Sequence, residues 1–346
     1  MIARCLLLLG TLALPLLVGA DASPARTGLQ TGVVFSEYSP LSRSAILPQR
    51  LFSPLAASRL QAALTRSGQA AREQSIDLTQ ERFAVYVPDT EPAQGYALLV
   101  FVPPWEAATV PRNWTAALDR HGMIFVSAAK SGNDASVVDR REPLALLAAH
   151  NIMQRYRIDP ARVYVGGFSG GSRVALRVAL GYPDVFRGAL LEAGSDPIGD
   201  AQIPLPPTEL FKQFQQSTRL VYLTGKDDTF HLDQDAHSRR SMQEWCVFDV
   251  HAETVAWTGH ESAGTAAFSR ALDALGGHEQ PSADKLAACR ARIENEMTAQ
   301  LRQVEDLSAR GKTAEARKLL EKIDVRYAGL AAPRSIELAE KTGDLH

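Results

Sequence analysis

The sequence predicts an α/β fold: a mostly parallel central sheet flanked by helices, with a small helical appendix at the C-terminus. Three observations predict it. Strand-like and helix-like segments alternate through the middle of the chain. Most middle strands, such as "MIFVSAA", "GALLEAG" and "RLVYLTG", are continuous apolar runs, as strands covered on both faces must be. From Pro281 onward strand signals stop, and charged residues interleave at helical spacing around a break at Gly311.

The elements follow in order. Residues 1–20 read as a signal peptide: Arg4 precedes an apolar stretch over residues 6–18, and small residues end at Ala20. The stretch is short for a membrane span and contains Pro15, so cleavage and export to the periplasm or medium are expected, with no anchor left behind. Residues 21–80 form a leader packed on the core, in which "GVVFSEYS" reads as a strand and "PLAASRLQAALTRSG" as a helix closed by Gly68. Residues 81–280 form the main domain. It opens with "ERFAVYVP" and "YALLVFVPP", two strands joined by the turn "DTEPAQG". There follow a helix in "VPRNWTAALDRHG", the strand "MIFVSAA", and a periodic helix in "PLALLAAHNIMQRYRI" that stops before Asp159-Pro160. Strand "RVYVGGF", helix "GSRVALRVALGYP", strands "GALLEAG" and "RLVYLTG", helix "SRRSMQEWC", strand "VFDVHAETVAW" and helix "TAAFSRALDALGG" complete it. Residues 281–346 are the appendix, two antiparallel helices and a third, similar to a single tetratricopeptide-like pair docked on the sheet domain.

Composition narrows the function. The 346 residues are 45% hydrophobic and 22% charged, with 37 basic side chains against 39 acidic ones and a formal charge of -2. No block of like charge argues for a nucleic-acid or anionic-membrane surface. Export would leave Cys246 and Cys289, which in an oxidising compartment are either bonded to each other or two buried thiols.

Chemistry concentrates in three loops. "RVYVGGFSGGSRVAL" places Gly167, Ser169 and Gly171 in the Gly-x-Ser-x-Gly pattern between a strand and a helix. A sharp turn there lifts the Ser169 hydroxyl clear of the sheet and aims helix N–H groups at developing negative charge. Serine needs a base, and the base needs an orienting acid. "RLVYLTGKDDTF" offers Asp227 and Asp228 at a strand end, with Asp228 favoured because it lies three residues past Gly225. Glu192 and Asp196 in "LEAGSDP" are a weaker alternative. "ETVAWTGHESAGTAAF" offers His260 after the next strand. The chain order Ser, Asp, His is the one this architecture requires. Oxyanion donors are expected at the Gly170 N–H and in "FVPPWEAATVP", where Pro103 and Pro104 lack an N–H and Trp105 is favoured over Glu106. Asn133 in "SAAKSGNDAS" ends a strand on the same edge and is a candidate substrate contact. "HLDQDAH" brings His231, Asp233, Asp235 and His237 close in sequence, but such spacing converges on a metal only in a strand. A loop and helix N-cap is the expectation there, with no metal and no organic cofactor.

With these residues placed, the chain resembles the α/β-hydrolase superfamily, and most closely its secreted polyhydroxybutyrate depolymerase-like and feruloyl esterase-like serine esterases. The resemblance rests on "DPARVYVGGFSGG" at residues 159–171, "YPDVFRG" at 182–188 and "GHE" at 259–261, and covers roughly residues 80–277. The acid loop "GKDDTFH" departs from the commoner Gly-x-x-Asp-x-x-Val form, and the oxyanion loop lacks a His-Gly-Gly sequence. The resemblance implies an exported serine hydrolase acting on small or polymeric carboxylic esters through Ser169, Asp228 and His260. The alternatives are a prolyl-oligopeptidase-like serine peptidase, whose usual propeller domain the leader is too short to supply, and a non-catalytic binding protein on the same scaffold.

Overall fold

A computed structural model of the chain describes residues 26–68 and 72–343. The segment read as a signal peptide lies outside the described residues. Eight strands form one sheet: β1 (Gly28–Val33), β2 (Phe83–Val87), β3 (Tyr96–Val102), β4 (Met123–Ala128), β5 (Ile158–Phe168), β6 (Gly188–Glu192), β7 (Arg219–Gly225) and β8 (Val250–Val255). Their spatial order is β1-β2-β4-β3-β5-β6-β7-β8. β2 runs antiparallel to β1 and to β4, and every other pairing is parallel.

Two expectations about strands change. The first strand lies at Gly28–Val33, earlier than "GVVFSEYS", and so brings the leader into the sheet as its edge. β2 and β3 are not neighbours, because β4 inserts between them after the crossover through α3 (Thr115–His121). A short turn and an apolar pattern are common to a hairpin and to this arrangement. Only the partner strand distinguishes them.

Alternate residues of each middle strand feed two cores. Val100, Val102, Val163, Val165 and Leu191 face α4 (Glu142–Arg155), α5 (Gly170–Gly181) and α6 (Thr208–Ser217). Leu99, Phe101, Tyr164, Leu190 and Val221 face α3 and α8 (Thr265–Gly276). This double coverage is why the strands read as unbroken apolar runs, and each fully buried Leu or Val is worth about 1.5–3 kcal/mol. On the second face Trp114 and Phe268 stack at 3.9 Å, both fully buried.

The remaining helices are α1 (Leu47–Leu51), α2 (Pro54–Ser67), α7 (Thr229–Glu244), α9 (Ala283–Ala309), α10 (Thr313–Tyr327) and α11 (Arg334–Thr342). α2 starts where Ser53 caps it with Pro54 behind, and stops at Gly68 with φ 66°. α7 begins at Thr229, so "HLDQDAH" is helical and not the loop and N-cap expected. The leader and appendix also meet: Asp324 of α10 accepts the Leu55 N–H of α2 at 3.1 Å and bonds to the Ser53 hydroxyl. A disulfide joins Cys246, just past α7, to Cys289 on α9. Among the described residues no helix is long and apolar enough to cross a membrane.

Candidate active site

The carboxyl ends of β5, β7 and β8 share one edge of the sheet, where parallel topology gathers the loops that can hold a ligand. Ser169 follows β5 directly with φ 54° and ψ −122°. Such a backbone costs a non-glycine residue about 1–3 kcal/mol. Its N–H donates to the Glu192 carbonyl at 2.8 Å, and its carbonyl accepts the Ser172 N–H at 3.0 Å. A Cβ on Gly167 would stand 2.3 Å from the Gly171 carbonyl carbon, and one on Gly171 would stand 1.9 Å from the Val102 carbonyl oxygen. The turn closes only because neither has a side chain.

The structure brings the three loops together. His260 Nε2 lies 3.1 Å from Ser169 Oγ, and His260 Nδ1 lies 2.7 Å from Asp228 Oδ2. With Nδ1 protonated, His260 donates to Asp228 and offers Nε2 to the Ser169 hydroxyl. The His260 side chain is 40% exposed, whereas Asp228 lies beneath it at 8%. Asp227 is exposed, and its backbone N–H donates to Thr258 O at 3.0 Å. Two adjacent aspartates are therefore sorted by which side of the loop faces the histidine.

A second histidine shares the acid. His231 Nδ1 sits 2.7 Å and 2.9 Å from Asp228 Oδ1 and Oδ2. Its ring stacks on that of His260 at 4.1 Å and 14°. Burial pushes the Asp228 pKa upward, but hydrogen bonds from His231 and then His260 outweigh it and hold the carboxyl below the usual aspartate value. Asp228, His231 and His260 have the residue types of a metal site. Both Nδ1 atoms, however, are engaged with the Asp228 carboxylate and His260 Nε2 faces the Ser169 hydroxyl, so the three groups satisfy one another. The sequence cluster around His237 does not assemble. Asp235 Oδ1 takes the Ser195 N–H at 2.9 Å and its Oδ2 the Thr224 hydroxyl at 2.5 Å, while His237 Nδ1 bonds to Asp233 O. Burial pushes the Asp235 pKa up to about 6.

The surrounding loops are tied down from below. Glu192 does not reach His260. Its carboxyl takes the Ala263 N–H at 3.3 Å, and Trp114 Nε1 donates to the Ala263 carbonyl at 2.7 Å, so the histidine loop is held on both sides of one residue. Burial pushes the Glu192 pKa up to about 8 against the Ala263 hydrogen bond. Asp196 instead lies 3.5 Å from Arg173. Arg141, itself buried, donates to the carbonyls of Ser131 and Pro103 and so fixes two loops at once.

Gly170 is the first residue of α5, where helix N–H groups have no intrahelical acceptor. In the loop after β3 the carbonyls of Pro103, Pro104 and Glu106 are bonded to Arg141, Asn133 and Lys130, while no hydrogen bond occupies the Trp105 N–H among the described residues. The Trp105 ring packs 6.3 Å from Phe168, which lies 4.9 Å from His260. Asn133 presses on Gly170, 2.2 Å from where a Cβ there would stand. Asn133, Ser169, Gly170, Arg173, Asp196 and Ile203 line a cleft of about 510 Å³. The sequence singles out His231 and Asp235 only as members of a possible metal cluster, not as partners of the triad loops, and Arg141 has no place among the residues it singles out. The one available signal was the Asp228-x-x-His231 spacing, which carries meaning only once α7 is known to begin at Thr229.

No family model matches the chain, and no curated protein matches it. Solved structures similar to it include a Porphyromonas gingivalis dipeptidyl peptidase 4, at 16% identity over 57% of this chain and TM-score 0.44; the chain spans only 34% of that protein. A ferulic acid esterase matches at 15% identity over 57% of this chain and 93% of its own, with TM-score 0.42. An S-formylglutathione hydrolase from Staphylococcus aureus matches at 14% identity over 56% and 91%, with TM-score 0.44. The strand order with its antiparallel second strand, the strand–turn–helix at Ser169 and the succession of Ser169, Asp228 and His260 on three strand ends give this chain an α/β-hydrolase fold and a resemblance to that superfamily.

Proposed function

We propose that the protein is an exported serine hydrolase that cleaves carboxylic esters through an acyl-enzyme. The observation that carries this reading is the continuous hydrogen-bond chain from Ser169 Oγ through His260 to Asp228. As Oγ attacks the ester carbonyl, His260 Nε2 takes its proton and Asp228 stabilises the imidazolium. The tetrahedral oxyanion is met by the Gly170 N–H and by the Trp105 N–H. Collapse breaks the bond to the alcohol, which leaves with the proton from His260. Water, deprotonated by the same nitrogen, then releases the acid. Asn133 forms part of the cleft wall that receives the acyl group. Export is supported by the apolar N-terminal segment and by the Cys246–Cys289 disulfide, which an oxidising compartment favours.

The test uses the mature protein with short-chain p-nitrophenyl esters, matching p-nitroanilides and a fluorophosphonate probe. Ester turnover and labelling are expected. Ser169→Ala should abolish labelling and lower kcat by about 10⁴-fold or more. Asp228→Asn should lower kcat by about 10³–10⁴-fold, with Asp227→Asn unchanged. Persistent labelling of Ser169→Ala refutes the reading. Anilide turnover exceeding ester turnover would favour a peptidase.

A further inference from the structure

Asp228 occupies the N-cap of α7, where an aspartate ordinarily turns its carboxylate onto the amides of the first helical turn. Asp228 makes no such bond. Its carboxylate points instead to two imidazoles, with His231 holding Oδ1 at 2.7 Å while Oδ2 serves His260 at 2.7 Å. His231 is the third residue of that same first turn, so its ring competes with the helix's own amides for the carboxylate. Its side chain is 13% exposed, packs over Gly194 and lies behind Asp228, outside the residues that line the cleft.

We propose that His231 is a positioning residue of the active site, which keeps Asp228 turned away from its helix and toward His260, and which makes activity depend on the protonation of two stacked imidazoles instead of one. This rests on the hydrolase reading of Ser169, His260 and Asp228. With His231 neutral, its Nδ1–H donates to Oδ1 and Asp228 retains a full negative charge to stabilise the imidazolium that forms at His260. A proton on His231 Nε2 places a positive charge against the same carboxylate and 4.1 Å from the His260 ring. Asp228 then serves two cations, and protonation of His260 during attack becomes harder. The titratable and charged groups around His231 are Asp228 and Asp235 from its own segment and His260 from the loop after β8. Arg173 of α5 is one step further, through Gln234, and is paired with Asp196.

The test measures kcat, KM and fluorophosphonate labelling against pH for the wild type, His231→Asn and His231→Ala. Asn keeps an N–H donor near the position of Nδ1 but cannot take a proton. The wild type is expected to lose kcat/KM on the acid side in second order in protons, and His231→Asn in first order, with kcat at pH 8 within about threefold of wild type. His231→Ala, in which Asp228 falls back onto α7, should lose kcat by about 10- to 100-fold with KM unchanged. A first-order acid limb shared by wild type and His231→Asn overturns the proposal, as does His231→Ala with wild-type kcat. If His231→Ala does not fold, the Asn comparison alone decides. A wild type that neither turns over esters nor labels with the probe removes the hydrolase reading, whereas an active wild type indifferent to His231 removes this proposal alone.

Discussion

Glu192 joins the two halves of the site through one residue. Its carbonyl takes the Ser169 amide, and its carboxylate takes the Ala263 amide beneath the histidine loop. The side chain is 1% exposed, and its Oε1 has no hydrogen-bond partner among the described residues. An unpaired buried carboxylate is costly, and the neutral acid relieves the cost by keeping its proton to about pH 8. The folded chain thus binds this proton more tightly than the unfolded chain, whose carboxyl titrates near 4.5. Stability from the neutral form is complete below about pH 4.5 and is lost as pH rises through about 8. Glu192→Gln copies the neutral acid and has nothing to lose. The Tm difference between Glu192→Gln and wild type should therefore grow from pH 5 to pH 9 by the equivalent of a few kcal/mol at most. A difference that stays flat across that range excludes a proton held at Glu192.

At the scale of elements, the turn at Ser169 works because β3, β5 and α5 approach more closely than side chains allow. The contact between Gly171 and the Val102 carbonyl is backbone against backbone, so no rotamer change relieves an added methyl group. Gly171→Ala should force α5 away from β3 and cost about 3 kcal/mol or more, seen as a large fall in Tm together with loss of fluorophosphonate labelling. A wild-type Tm would show that the turn has slack. The same scale explains why only the second half of α7, from "SRRSMQEWC", is legible in the sequence. "TFHLDQDAH" is polar on most of its surface, and its helical periodicity is weak because the buried positions include Asp235 and Ser238 as well as Met242. Helix α6 leaves a weak sequence signal for a similar reason, since "TELFKQFQQS" buries only Phe211, Phe214 and Gln215.

Across the whole molecule, the leader and the appendix close on one another at α2 and α10, and the appendix is fastened to the main domain at several points. Arg290 of α9 donates to Gln215 of α6 at 2.6 Å, Tyr327 packs edge-on to Trp245, and Cys246 bonds to Cys289 across 43 residues of sequence. Closing a loop of that length removes conformational freedom from the unfolded chain. Replacing both cysteines with serine should lower unfolding stability by about 2–4 kcal/mol in urea titrations, with kcat of the proposed ester hydrolysis within about twofold because neither cysteine lines the cleft at Ser169. An unchanged midpoint would mean the helices hold the appendix without it. Alkylation of the denatured, unreduced protein should find no free thiol at these two positions.

The sequence by itself determined the layered α/β architecture, the turn at Ser169 and the order in which an acid and a histidine follow it. Each of these is written locally, in apolar runs, in glycines where backbones nearly touch and in strand ends followed by polar loops. The tertiary structure decided which strand lies beside β2, that the two cysteines meet, that Asp228 and not Asp227 faces His260, and that His231 shares its carboxylate. Those outcomes depend on pairings between segments far apart in the chain. Asp227 and Asp228 are chemically identical neighbours, and only the direction in which β7 delivers the loop makes one of them a partner of His260 and leaves the other in water.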